Sequence, residues 1–272
     1  MTSPALEKLI RFQRPEKALP YAHLVCDRTV AALFGTDEAD YLSVIQAIET
    51  QRAEAASRIA ADQSVQLALA NLPFRPGDRV IAIGESTTAD RLSWFELLQT
   101  VIGSERPDLG LRFDNLAVSG ASSTQALAAL PTIRRQPADW VFCMLGGNDS
   151  QRFDGPHGPL LVSRAESLRN LAALRAHALP PATGRWVWIT PTPVDEERSG
   201  AFPFFRAAGI SWSNTDIGDL AAAIRALPDT VIDSGSAIAG SDARAFTDDG
   251  VHPSVAAHEA LAAHVLRTLS GG

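Results

Sequence analysis

The sequence predicts an α/β fold in which a mostly parallel sheet of five strands lies between helices, plus an N-terminal helical extension. Two observations predict this. From residue 78 onward, short apolar runs alternate with segments of helical periodicity, and strands joined by single helices imply right-handed crossovers and parallel pairing. Residues 1–72 are instead rich in Ala, Leu, Glu and Arg, with little of the alternation typical of strands.

The N-terminal part is predicted to form about three helices, at residues 22–33, 38–60 and 63–71, after an irregular arm. A turn at Pro76-Gly77-Asp78 marks its end. We therefore expect an N-terminal helical extension over residues 1–75 and a second domain over residues 76–272. We expect the extension to be a packing appendage or the contact surface of a homodimer, with a substrate lid as the alternative.

The second part contains the strand and helix patterns in alternation. Apolar runs typical of buried strands occur at Val80–Ile83, Phe113–Val118, Trp140–Leu145, Trp186–Thr190 and Val231–Asp233. Helical periodicity lies between and after them, at about residues 90–103, 123–130, 163–179, 214–227 and 254–269. Ser163 and Glu166 have the spacing of a capping box at the start of the third of these helices.

Composition and charge exclude several classes of function. The net charge of −7 argues against nucleic acid or an anionic membrane surface as the main partner. No apolar run approaches the roughly 20 residues that a membrane span needs, and the N-terminal residues lack the apolar stretch of a signal peptide. The two cysteines, Cys26 and Cys143, do not make a disulfide framework. We expect a cytoplasmic enzyme.

Residues that could take part in catalysis follow the predicted strands. Gly84-Glu85-Ser86 follows the first strand, Ser119-Gly120 the second and Gly146-Gly147-Asn148-Asp149 the third. Asp248-Asp249-Gly250-Val251-His252 lies between the last strand and the last helix. Because functional residues of parallel sheets gather at the carboxyl ends of the strands, we expect these four segments to meet.

The residue types suit acyl transfer. A serine hydroxyl such as that of Ser86 needs a base within hydrogen-bond reach, and His252 can supply one. Asp249 can fix the imidazole tautomer, with Asp248 as the competing choice, and Gly250 allows the tight turn between them. The backbone N–H groups of Ser86 and Gly120 and the side-chain amide of Asn148 could hold an oxyanion.

These blocks resemble the SGNH branch of the GDSL esterase/lipase superfamily, which is named for a Ser, a Gly, an Asn and a His in separate blocks. The matching residues are Ser86, Gly120, Asn148 and, with Asp249 before it, His252. The resemblance covers about residues 78–270 and implies a flavodoxin-like three-layer α/β/α sandwich that hydrolyses esters through an acyl-serine. Glu85 stands where the family usually has Asp. We expect its carboxylate to accept backbone N–H bonds and to stay out of the chemistry.

The leading hypothesis is a serine hydrolase that cleaves small or short-chain acyl esters and needs no cofactor or metal. Acyl transfer to an acceptor other than water would use the same residues. A metal-dependent hydrolase using Asp149, Asp249 and His252, and a binding module without catalysis, are further alternatives. The long connection at residues 191–213 and the segment at 151–159 are candidates for walls of the substrate pocket.

Overall fold

The computed structural model describes residues 4–18, 25–179, 184–239 and 245–271. Strands occupy β1 Arg79–Gly84, β2 Arg112–Asn115, β3 Trp140–Met144, β4 Arg152–Phe153, β5 Arg185–Ile189, β6 Ile210–Ser211 and β7 Thr230–Ile232. Five of them form one parallel sheet in the order β2-β1-β3-β5-β7. The predicted parallel sheet of five strands is therefore confirmed, and each strand lies within two residues of its expected start.

The N-terminal helices are α1 Pro4–Phe12, α2 Pro15–Ala18, α3 Asp27–Leu33, α4 Glu38–Ala60 and α5 Gln63–Ala70. Two of the predicted helices, at 38–60 and 63–71, are confirmed. The first was predicted from residue 22 and begins at Asp27; residues 22–24 lie outside the described residues. The expectation of an irregular arm before it was wrong, because Pro4–Phe12 is helical and buries Ile10 and Phe12.

The helices that follow β1 are α6 Ser86–Ala89, α7 Trp94–Glu105, α8 Ser123–Ala128, α9 Leu130–Ile133, α10 Arg164–Ala178, α11 Glu196–Ala201, α12 Pro203–Ala208, α13 Asn214–Arg225, α14 Ser234–Ala239 and α15 Val255–Ser270. Alternate residues of each central strand pack on opposite faces of the sheet. Val80 and Ala82 of β1 face a core shared with α4, α5, α7 and α15. Ile81 and Ile83 face a second core shared with α8, α10 and α13. The molecule thus has three layers, as the resemblance implied.

Helices α4 and α5 belong to the first of these cores rather than to one of their own, since Ala55, Ile59 and Leu69 pack in the same cluster as β1 and β3. A smaller cluster joins α1, α3 and α4 through Ile10, Val30 and Tyr41. The division of the chain near residue 75 stays a prediction. The N-terminal helices nevertheless cover one face of the sheet.

Two connections differ from expectation. The helix predicted at about 90–103 begins only at Trp94, because a separate short helix, α6, ends just before Asp90, whose carboxylate accepts from Leu92 N at 2.9 Å. The long connection predicted at residues 191–213 contains α11, α12 and β6, and β6 pairs antiparallel with β4. Among the helices of the described residues, none combines the length and apolar character that crossing a membrane requires.

Candidate active site

Ser86 is the first residue of α6 and lies two residues beyond the end of β1. Its Oγ is 3.0 Å from His252 Nε2, although 166 residues separate the two in sequence. His252 lies in the loop before α15, and its Nδ1 is 2.9 Å from Asp249 Oδ2. The structure thus brings these three predicted residues together in one hydrogen-bonded series.

The carboxylate of Asp249 is nearly inaccessible, with 2% of its side chain exposed. Burial alone would raise the pKa of Asp249, but hydrogen bonds and charge from His252, together with Lys8, outweigh it and hold that pKa below its usual range. An ionised carboxylate can only accept hydrogen bonds. His252 Nδ1 therefore carries the proton, and Nε2 is left to accept from the Ser86 hydroxyl.

Two backbone N–H groups and one side-chain hydroxyl hold the other carboxylate oxygen of Asp249. Its Oδ1 accepts from the N–H groups of Val251 and His252, both at 2.9 Å, and from Thr247 Oγ1 at 3.0 Å. The competing residue, Asp248, has a side chain that is 69% exposed, and it pairs with Lys8. Of the two adjacent acids, only Asp249 contacts His252 among the described contacts.

Gly250 is required by the turn between Asp249 and His252. Its φ is +71°, a left-handed conformation that other residues rarely adopt. A Cβ at this position would lie 2.6 Å from Ser199 N and 2.7 Å from Asp195 O, both backbone atoms of the adjacent connection. The Asp195 N–H also donates to Gly250 O at 2.8 Å. The connection at 191–213 therefore packs directly against the turn that carries His252.

Glu85 links the first and third blocks. Its Oε1 accepts from Gly147 N and its Oε2 from Asn148 N, both at 2.9 Å, so the expected backbone hydrogen bonds are confirmed. Burial dominates its electrostatics and raises the pKa of Glu85 to about 8, against the opposing effect of the Asn148 and Gly147 N–H groups. Because Glu85 directly precedes Ser86, these two bonds hold the Asn148 block beside Ser86.

Gly120 lies beside the same edge of the sheet. The Val118 N–H donates to Gly84 O at 3.1 Å, which pairs the backbone two residues before Gly120 with the backbone two residues before Ser86. Gly120 itself has a φ of +80°. Within the described part of the chain, the N–H groups of Ser86 and Gly120 donate to no backbone or side-chain acceptor. Both are left available for a bound ligand.

The Asn148 side chain has one donor in use and one to spare. Its Nδ2 donates to Ala121 O at 3.0 Å, and an amide nitrogen carries two hydrogens. Asp149 beside it is buried, and its Oδ1 accepts from Ser123 N at 2.7 Å. This bond ties the loop that carries Asn148 to the start of α8. Across the described ranges, no group of three or more His, Cys, Asp or Glu side chains is arranged to hold a metal ion.

The connection at residues 191–213 and the segment at 151–159 form one unit, because Arg152 and Phe153 of β4 pair with Ser211 and Ile210 of β6. Trp212 Nε1 donates to Gly147 O at 3.0 Å, which attaches the unit to the Asn148 block. The rings of Phe202, Phe204, Phe205 and Trp212 contact one another in series. Their role as a substrate wall stays a prediction.

Two residues beside the site, both on α1, were not predicted from the sequence. Lys8 Nζ lies 2.9 Å from Asp249 Oδ2, and the Phe12 ring packs on the His252 imidazole with 4.5 Å between ring centroids. The signal available in the sequence was the spacing of Leu6, Leu9 and Ile10, which is helical but short. Nothing in that spacing indicates where the helix docks.

A parallel α/β sheet with a Ser–His–Asp series at its carboxyl edge is typical of serine hydrolases. The sequence pattern of the GDSL-like lipase/acylhydrolase family matches residues 82–260, and the chain belongs to that family. The protein is accordingly a carboxylic ester hydrolase. The comparison with curated protein sequences gives no match.

Solved structures share this fold at low sequence identity. LAE5, an alpha/beta hydrolase enzyme from the metagenome of Lake Arreo, is 20% identical with a TM-score of 0.54, and the match covers 72% of this chain and 96% of LAE5. The R55A mutant of Axe2, an acetyl-xylooligosaccharide esterase from Geobacillus stearothermophilus, is 22% identical with a TM-score of 0.57. That match covers 72% of this chain and 95% of Axe2. These likenesses concern the fold.

Proposed function

We propose that the protein hydrolyses carboxylic esters through an acyl-serine intermediate on Ser86. The observation that carries the proposal is the hydrogen-bonded series from Asp249 through His252 to Ser86, with contacts of 2.9 and 3.0 Å. The buried, ionised carboxylate sets the direction of this series, because it takes the proton of Nδ1 and leaves His252 Nε2 as a basic atom 3.0 Å from the Ser86 hydroxyl. Such a base is what a serine needs to become a nucleophile.

In this mechanism Ser86 Oγ attacks the ester carbonyl carbon while its proton passes to His252 Nε2. Asp249 keeps the imidazole oriented and stabilises the positive charge that it gains. The carbonyl oxygen becomes an oxyanion, which accepts from the N–H groups of Ser86 and Gly120 and from the second hydrogen of the Asn148 amide. His252 then protonates the leaving alkoxide as the carbon–oxygen bond breaks.

Water completes the cycle. It gives a proton to His252 Nε2 and attacks the acyl-serine, so that the acid is released and Ser86 recovers its proton. If another alcohol or an amine took the place of water, the same residues would transfer the acyl group. Product analysis with such acceptors separates these two outcomes, since hydrolysis releases the free acid whatever the acceptor present.

We propose small or short-chain acyl groups as substrates. The Phe12 ring packs on the imidazole of His252, with 4.5 Å between ring centroids, and we expect it to limit the room for the acyl chain of a bound ester. One solved neighbour of this fold, Axe2, is described as an esterase of an acetylated oligosaccharide. The aromatic series from Phe202 to Trp212 would then border the alcohol part of the ester. A homodimer and a cytoplasmic location remain predictions.

The test is a series of p-nitrophenyl esters with acyl chains of increasing length, hydrolysed by the wild type and by Ser86→Ala. We expect turnover to be highest with acetyl or propionyl esters and to be lost in Ser86→Ala, while circular dichroism shows an unchanged fold. The substitution Ser86→Ala removes only one oxygen atom, at the first residue of a helix, so we expect the variant to keep the wild-type fold. Retained turnover in that variant would overturn the assignment of the nucleophile.

A further inference from the structure

Helix α1 lies against the turn that carries Asp249 and His252. Lys8 and Phe12 are four residues apart and so lie on one face of the helix. Lys8 Nζ is 2.6 Å from Asp248 Oδ1 and 2.9 Å from Asp249 Oδ2. The cation therefore bridges two adjacent carboxylates, one exposed and one buried, and the buried one is the partner of His252.

Separate contacts hold α1 in this position. Arg11 forms a two-pronged ion pair with Asp90, with Nε 2.7 Å from Oδ1 and Nη2 2.6 Å from Oδ2. Asp90 has no exposed surface, and it ends α6, the helix that begins with Ser86. Burial alone would raise the pKa of Asp90, but Arg11 and His258 outweigh it and lower that pKa below its usual range. This buried ion pair attaches α1 to the C-terminal end of α6.

A third contact reaches the Gly120 block. The Ser119 hydroxyl donates to the Phe12 carbonyl oxygen at the C-terminal end of α1. Ile10, fully buried in the apolar cluster with Val30 and Leu92, fixes the rotation of the helix about its axis. One short helix therefore contacts the segments next to Ser86, Gly120 and His252, three of the four blocks of the site.

We propose that α1 belongs to the active site and that its residue Lys8 is a positioning residue, which acts on His252 through Asp249. The proposal rests on the function proposed above. Lys8 contacts Asp249 Oδ2, the same oxygen that receives the His252 Nδ1–H, so it fixes the carboxylate in the orientation that aims the imidazole at Ser86. It also separates the charges of Asp248 and Asp249.

Without the ammonium group, two adjacent carboxylates would face each other with no cation between them. The turn would relax, the orientation of the imidazole would be less defined, and proton transfer from Ser86 would slow. Displacements of about 1 Å in a catalytic group cost up to about a hundredfold in rate. Because Lys8 pairs with acids behind His252 rather than with Ser86, we expect the loss in kcat and not in KM.

The experiment is a double-mutant cycle in the full chain with p-nitrophenyl acetate. We expect Lys8→Met to lower kcat by roughly tenfold or more with KM within about twofold, and Lys8→Arg to restore most of the rate because it keeps the cation. In an Asp249→Asn background, Lys8→Met should have less than about a threefold effect, because residues that act through one another are not additive. Lys8→Gln serves in place of Lys8→Met should the latter not fold.

The matched control is Arg58→Met, which removes an ion pair of similar length, 2.7 Å to Glu259, between another N-terminal helix and α15. Its kcat should stay within about twofold of the wild type. The proposal is overturned if the loss of the Lys8 charge leaves kcat unchanged, or lowers it equally in both backgrounds. Failure of the proposed function would be distinct, since Ser86→Ala would then keep the wild-type rate.

Discussion

Glu85 provides a quantitative test of the electrostatics beside Ser86. Glu85 is only 5% exposed, and burial raises the pKa of its carboxyl group from 4.5 to about 8. The side chain is therefore mostly neutral at pH 7. Glu85→Gln replaces one neutral group by another of the same size, at the cost of one of the two acceptors that face Gly147 N and Asn148 N. We expect the free energy of unfolding of Glu85→Gln to be about 1 kcal/mol lower than that of the wild type near pH 6.5.

The pH dependence should distinguish the two proteins more sharply. In the unfolded chain Glu85 loses its proton near pH 4.5, whereas the folded protein keeps it up to about pH 8. Between those values the folded state binds more protons, so the wild type loses stability as pH rises, by about 1.4 kcal/mol per pH unit. From about pH 6.5 to about pH 8 the wild type therefore loses roughly 1.5 kcal/mol of stability through Glu85, less than a constant slope would give, because the slope becomes smaller near the folded pKa.

The assay is urea denaturation followed by tryptophan fluorescence at several pH values in that range. The pKa values of His258 and His264 are also shifted, both lowered chiefly by burial, but both residues are present in both proteins and cancel in the difference. The free energy of unfolding of the wild type relative to Glu85→Gln should therefore fall by roughly 1.5 kcal/mol. Glu166→Gln, at a half-exposed position on α10, should run parallel to the wild type.

Parallel pH profiles for the wild type and Glu85→Gln would contradict this prediction, because they would show that the buried carboxyl group of Glu85 binds no extra proton in the folded state. The same variant tests the expectation that Glu85 stays out of the chemistry. Its kcat should fall far less than that of Ser86→Ala, and an equal loss would contradict that expectation.

Three further predictions concern the site. Asp249→Asn should keep the backbone bonds from Val251 and His252 but favour the wrong imidazole tautomer, lowering kcat by about a thousandfold or more in steady-state assays. Asn148→Ala should remove one oxyanion donor and lower kcat by about a hundredfold with little change in KM, and an unchanged kcat would remove Asn148 from that role. Gly250→Ala should destabilise the protein by about 2 kcal/mol or more and lower its activity, because the added Cβ would lie 2.6–2.7 Å from backbone atoms of Asp195 and Ser199. A thermal melting temperature equal to that of the wild type would contradict this prediction.

Much of the fold could be predicted from the sequence because each central strand is buried on both faces. Val80–Ile83 and Trp140–Leu145 are continuous apolar runs of strand length, and the helices between them have clear periodicity. The predicted site residues are found together because the strands are parallel, so that their carboxyl ends lie at one edge of the sheet. Local chemistry was enough for Gly250, whose position between Asp249 and His252 already indicated a tight turn.

The parts that could not be predicted depend on contacts between distant residues. The contact between Lys8 and Asp249 spans 241 residues and follows from the docking of α1, which no local pattern specifies. The break between α6 and α7 depends on Asp90, a buried polar residue whose partners Arg11 and His258 are both distant in sequence. Helix α12 is a different case, because local signals for it were present in the sequence: Pro203 is its first residue and Gly209 follows its C-terminal end.

The central claim is that Ser86 is a nucleophile activated by His252. Reaction with a fluorophosphonate, followed by peptide mass spectrometry, tests it without assuming a substrate. We expect one adduct per chain, located on Ser86, that forms rapidly in the wild type and at least about a hundredfold more slowly in His252→Ala. An adduct on another residue, or equal labelling of Ser86 in both proteins, would contradict it.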